Sequence, residues 1–143
     1  MPANDISVLV GAWTLLNAEW ELADTGERFD MYGPNPRGTI AFAATGRMVA
    51  LVTSSSSVSP KTDEERAALT KAMMAYSGKF RLEGADQFIT SVDLAWHPAW
   101  IGTEQARFFT IQDDILSIRS REQKHPSFPG KLVRGLLSWK RDK

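Results

Sequence analysis

The sequence predicts an all-β fold: a closed antiparallel up-and-down β-barrel of about eight to ten strands, with one short helix closing an end. Three observations carry this. Short apolar segments with period-two alternation recur along the chain, separated by turn residues at hairpin spacing. Only one stretch, about 62–77, combines helical caps with helical periodicity. The run Val10-Gly11-Ala12-Trp13-Thr14-Leu15-Leu16 carries, two residues ahead of its tryptophan, a glycine that lets a neighbour approach the backbone. Its Trp13 is large enough to plug one end of a barrel.

Each element follows from local chemistry. Ile6 to Leu22 is rich in aromatic and β-branched residues and reads as extended. Ala23-Asp24-Thr25-Gly26-Glu27 turns the chain into a short strand, Arg28 to Tyr32. Gly33-Pro34-Asn35-Pro36-Arg37-Gly38 is a rigid connector, because two prolines fix φ and remove two amide donors. Gly38 to Ala44 and Arg47 to Thr53 form a hairpin about Thr45-Gly46. Ile40 and Phe42 share one face, and so do Met48, Ala50 and Val52.

Ser54 to Pro60 is a serine-rich loop, expected to be mobile. Thr62-Asp63-Glu64-Glu65 fits a capping box at a helix start. Leu69, Ala72, Met73 and Tyr76 then fall on one helical stripe, and Gly78 sits where a terminating glycine belongs. Period two returns at Lys79-Phe80-Arg81-Leu82. It continues in Gln87 to Trp96, Glu104 to Gln112, Ile115 to Arg121 and Leu132 to Lys140. Expected interior residues include Ile40, Phe42, Met48, Phe80, Phe88, Phe108 and Leu116, with strand parity open to a slip of one residue.

Composition narrows the function. A chain of 143 residues suits one domain, 1–143. Lysine plus arginine and aspartate plus glutamate are equal at 17 each. That balance argues against nucleic acid and anionic membranes as partners, and it permits a homo-oligomer. The absence of cysteine excludes disulfides and thiolate chemistry and fits a cytoplasmic location. Met1-Pro2-Ala3-Asn4-Asp5 has no basic region of a signal peptide, and no apolar run is long enough to span a bilayer.

Three groups of residues are candidates for a site. Trp96, His97 and Trp100 precede Glu104. Either the tryptophans flank a ligand while His97 or Glu104 orients its polar tip, or they cap the core and His97 bonds backbone. Tyr32, Arg37 and Tyr76 form a second set. Arg37 either pairs a ligand carboxylate or bridges loop carbonyls. Phe42, Met48, Met73, Phe80 and Phe108 would supply an adaptable apolar lining. The helical stripe is lid, core or both. Phosphate-loop, zinc and nucleophile-elbow motifs are missing, and only His97 and His125 represent histidine, so no metal or cofactor is expected.

The chain resembles the small lipocalin-like domain family of bacteria and fungi, within the calycin group of barrels. Gly11-Ala12-Trp13 is similar to the G-x-W opening. Tyr32-Gly33-Pro34-Asn35-Pro36-Arg37-Gly38 and Trp100-Ile101-Gly102-Thr103-Glu104-Gln105 resemble the family's more specific segments, and Trp139-Lys140-Arg141 its closing strand. The resemblance implies structural roles for Gly11, Trp13, Trp139 and Arg141, with Arg141 packed over Trp13.

The expected function is binding of a small hydrophobic or amphipathic molecule in the barrel interior. Two alternatives stand beside it. One is a cofactor-free isomerase or cyclase using Tyr32, Tyr76, His97 and Glu104, with Glu104 shifted towards neutral pH by a dry pocket. The other is a barrel filled by its own side chains, with a structural or self-association role.

Overall fold

The alternation is realised in a computed structural model that describes residues 5–55 and 58–143. The strands are β1 (Gly11–Leu22), β2 (Arg28–Asp30), β3 (Arg37–Phe42), β4 (Arg47–Thr53) and β5 (Met73–Glu83). They continue as β6 (Gln87–Ala95), β7 (Glu104–Gln112), β8 (Ile115–Arg119), β9 (Gln123–Lys124) and β10 (Leu132–Arg141). Eight of them close an antiparallel barrel in the order β1-β3-β4-β5-β6-β7-β8-β10, and β10 returns to β1. Closure leaves the eight strands without a free edge. The short β2 and β9 extend the barrel at one end, on Glu19–Glu21 and on Leu132 and Val133. Part of the serine-rich loop (56–57) and most of the opening pentapeptide (1–4) lie outside the described residues.

The opposite end is sealed by the seam between first and last strands. Leu15 lies opposite Trp139, and Trp13 opposite Arg141. Both tryptophans are fully buried. A 3₁₀ turn at Ile6–Val8, capped by the Asp5 carboxylate, brings Leu9 beneath Trp13, whose indole N–H donates to the Leu9 carbonyl at 3.0 Å. The Arg141 guanidinium lies 4.1 Å from a Trp13 ring centroid and donates to the Val8 and Val10 carbonyls, both at 3.3 Å. Gly11, at φ 131°, keeps the first strand within reach of that guanidinium: a Cβ would stand 3.4 Å from Nη1.

Above this plug the core is aromatic. Phe42 meets Phe80 and Phe88 edge-on, with centroids 5.0 and 5.4 Å apart, and Phe109 lies 5.8 Å from Phe88. Such pairs add about 0.5–1.5 kcal/mol each beyond the area they bury. Met48, Ala50, Val52, Leu116 and Val133 fill the remaining wall and are wholly buried.

Several sequence expectations are corrected. The helix α1 is Asp63–Lys71, shorter than 62–77. Its capping box forms: Thr62 Oγ1 accepts from the Glu65 amide and Glu65 Oε1 from the Thr62 amide, both at 3.1 Å. The apolar stripe is not a helix face. Thr53 pairs with Met73 and Ala50 with Tyr76, so Met73 onward is drawn into β5 by the neighbouring strand, and none of α1 is buried. Gly78 is therefore mid-strand rather than a helix cap. The helix leaves the end it was expected to close to other segments.

Parity also differs by one residue at two places. Met74, opposite the buried Val52, packs on the core, so Met73 faces out. Phe109, opposite Ile118, is buried, whereas Phe108 faces out under the Arg119 guanidinium, 4.8 Å from its ring centroid. Arg37 lies opposite Thr53 while its neighbour Gly38 faces the buried Val52, which turns the arginine outward too. In the segment Gln87 to Trp96 the alternation breaks at a register shift in the β5–β6 pairing, which leaves Leu94 exposed.

Candidate ligand site at the end opposite the plug

The end opposite Trp13 is built by three segments. From β5, Tyr76 points inward, opposite the buried Ala50. From the turn after β6, a 3₁₀ helix at Pro98–Trp100 carries Trp100 over it, with ring centroids 5.1 Å apart. Trp96 packs against Trp100 at 5.2 Å. The turn is held by Thr103, whose hydroxyl donates to the Trp100 carbonyl at 2.6 Å. From the connector after β2, Met31 and Tyr32 reach the core cluster. Tyr32, just before the Pro-rich bend, and Trp100 of the tryptophan loop thus pack on the same core cluster.

A polar group lies inside this apolar shell. Arg107 stands opposite the buried Phe88, and Gln105 opposite the buried Thr90, so β7 turns both inward. Arg107 donates to the Gln105 side-chain oxygen at 3.2 Å and to the Ala106 carbonyl at 2.9 Å. Gln105 in turn donates to Thr103 Oγ1 at 2.9 Å. The Thr90 hydroxyl is fully buried and has no partner. Burial pushes the Tyr32 phenol up to about 12, the nearby Tyr76 adds to the rise, and the Arg107 charge opposes it. Burial raises the Tyr76 phenol as well, again opposed by Arg107. Burial thus keeps both phenols protonated.

The raised phenol fixes a sign. The unfolded chain starts to lose the Tyr32 proton near pH 10, its ordinary value, while the folded chain holds it to about 12. Stability is therefore full below pH 10 and falls as pH rises from 10 to 12. Urea midpoints measured across that window should decline, and Tyr32→Phe should flatten part of the decline. An equal slope in the variant would remove Tyr32 as its source.

Other candidates from the sequence lie elsewhere. Glu104 faces out and forms an ion pair with Arg81 at 2.9 Å, accepting also from Ser91. The Arg81 contact holds its carboxyl below the usual range, opposite to the shift a dry pocket would give. His97 is exposed and spends Nδ1 accepting from the Ala99 amide at 3.2 Å, as the cap of the 3₁₀ turn. Phe42, Met48 and Phe80 are deep in the core. The residues missed were Thr90, Gln105 and Arg107. For Gln105 and Arg107 the signal was their alternation with Phe109 on one side of β7, masked by the adjacent pair Phe108-Phe109; for Thr90 it was its alternation with Phe88 and Val92 on β6. Two depressions lie away from the tryptophan loop, the first lined in part by the core residues Phe109 and Ile118. One of about 360 Å³ lies on the wall between Asn17, Phe108, Arg119 and Leu136. The other, about 570 Å³, lies in the connector from Lys124 to Leu132. Among the described residues, no three histidine, aspartate or glutamate side chains cluster as metal ligands would, and no helix is long and apolar enough to cross a membrane.

A closed antiparallel barrel, plugged by a tryptophan under an arginine and lined with aromatics, defines the lipocalin-like class of binding barrels. The model of the lipocalin-like domain matches residues 10–142, and the chain belongs to that family. It is similar to the 4'-hydroxy-3'-methoxypropiophenone carrier protein ppsC of Aspergillus oryzae. The two are 33% identical over 88 residues, covering 56% of this chain and 77% of the relative. Barrel and relative together support small-molecule binding in general.

Proposed function

We propose that the chain acts as a single carrier domain, binding one small amphipathic molecule between the tryptophan loop and the interior of the barrel. The observation that carries this reading is the bare, fully buried Thr90 hydroxyl, together with two phenols that burial holds protonated. Unpaired buried donors are costly, and a ligand oxygen relieves the cost. Aromatic faces at Tyr76, Trp96 and Trp100 suit a flat ring. The relative's name points the same way, towards an oxygenated aromatic ketone. Lack of cysteine agrees with a cytoplasmic site of action.

A second reading has its own observation. The side chains of Phe42, Phe80, Phe88 and Phe109 meet one another directly in the interior, as a self-filled barrel requires. The isomerase alternative is weaker, because His97 and Glu104 face away from the two tyrosines.

Titration with N-phenyl-1-naphthylamine and with 4'-hydroxy-3'-methoxypropiophenone, read by tryptophan emission, separates the readings. Saturable quenching at one molecule per chain is expected. Tyr76→Phe should weaken the ketone about three- to tenfold, the worth of one hydrogen bond. No saturable signal with either probe would leave the self-filled barrel.

A further inference from the structure

Arg28, Arg47, Arg66, Arg81, Arg134 and Arg141 each reach a carboxylate. Arg107, like the exposed Arg37, Arg119 and Arg121, has no carboxylate partner among the described residues, but it is the one of these four turned to the inner wall. Its partners are a neutral amide oxygen and a carbonyl. It is half-buried on the inner wall, opposite a phenylalanine that is only 1% exposed. A guanidinium turned into an apolar barrel loses hydration, and neutral acceptors restore only part of it. Thr90 is its diagonal neighbour across the β6–β7 pair, within the roughly 7–8 Å that such neighbours span. Its hydroxyl is bare and fully buried.

We propose that Arg107 binds the carboxylate of an apolar aromatic ligand inside the barrel, with the Thr90 hydroxyl and the Tyr76 phenol as flanking donors. This deepens the carrier reading and rests on it. Two donors on a planar fork match two carboxylate oxygens, and a negative charge is what the wall lacks. A neutral carbonyl would need only the phenols. The two tyrosines stay protonated beside the cation, so they donate to the anion instead of competing with it. The aromatic part of the ligand then lies against Tyr76 and Trp100.

Calorimetric titration with 4-methoxycinnamate and with its methyl ester tests the proposal. The pair differs in charge and little in shape. The wild-type protein should bind the acid at least about tenfold more tightly, the advantage of hydrogen bonds to a charged group. Added salt should weaken the acid and leave the ester unchanged. Arg107→Met keeps the apolar stem and should bring the acid down to the ester's affinity, with the ester changed less than about twofold. Arg107→Lys should retain part of the preference. Equal affinities in the wild type overturn the proposal whatever the variants do. If neither cinnamate binds while N-phenyl-1-naphthylamine does, the carboxylate is wrong and the carrier reading stands. If none of the three binds, both fall.

Discussion

Trp13→Ala is expected to remove about 3–5 kcal/mol of stability, a large part of the total a domain of this size has. Three losses coincide at one residue. The plug is fully buried, so truncation leaves a void at the end of the barrel. The bond to the Leu9 carbonyl goes, which frees the N-terminal 3₁₀ turn. The Arg141 guanidinium loses the ring it lies on, and keeps only long bonds to Val8 and Val10 and a 3.4 Å contact to Asp114. Trp13→Phe should cost less, since the face that Arg141 covers is partly kept. Urea denaturation gives the comparison: the alanine midpoint should fall far below the phenylalanine one, with little change in slope. A loss under about 1 kcal/mol for alanine would mean that the β1–β10 seam holds without its plug.

What the sequence revealed follows what dominates locally. Trp13, Trp139 and the Thr45-Gly46 hairpin were legible because large apolar side chains and turn glycines have few alternatives. The hairpin strands β3 and β4 were read with the right faces, since Ile40, Phe42, Met48, Ala50 and Val52 alternate without interruption. Met73 to Tyr76 was misread because the same residues satisfy a helical stripe and a strand. Only the partner decides, and β4 was that partner. The Phe108-Phe109 pair offered two equal parities, and the inward turn of Arg107 is the outcome of the other one. The tryptophan loop was legible as a place of interest. Its contact with Tyr76 was not, because it depends on a register shift that neither strand announces.

That shift makes Gly78→Ala the second large effect. The β5–β6 register advances between Ser77 and Gly78, so that Asp93 is left unpaired between Val92 and Leu94. Arg47 grips the extra residue through two bonds to the Asp93 carboxylate, at 2.7 and 3.0 Å, and a third to Ser77 Oγ. Here the two backbones pack so tightly that a Cβ on residue 78 would run into the Ser91 carbonyl, which is main chain and cannot rotate away. Gly78→Ala must therefore part the strands, at an expected cost of at least about 3 kcal/mol. Gly135→Ala is the matched control. Its nearest neighbour would be the Met31 methyl at 3.1 Å, the tip of a flexible side chain, so it should cost under about 1 kcal/mol. Similar urea midpoints for the two would deny that the bulge needs a glycine. The same bulge sends the chain after β6 across the barrel end, where the Trp96 amide donates to the Ala75 carbonyl at 2.8 Å and Trp100 meets Tyr76. Any Gly78→Ala protein that folds should consequently bind N-phenyl-1-naphthylamine more weakly, because the wall of the site is hung from the register that this glycine permits.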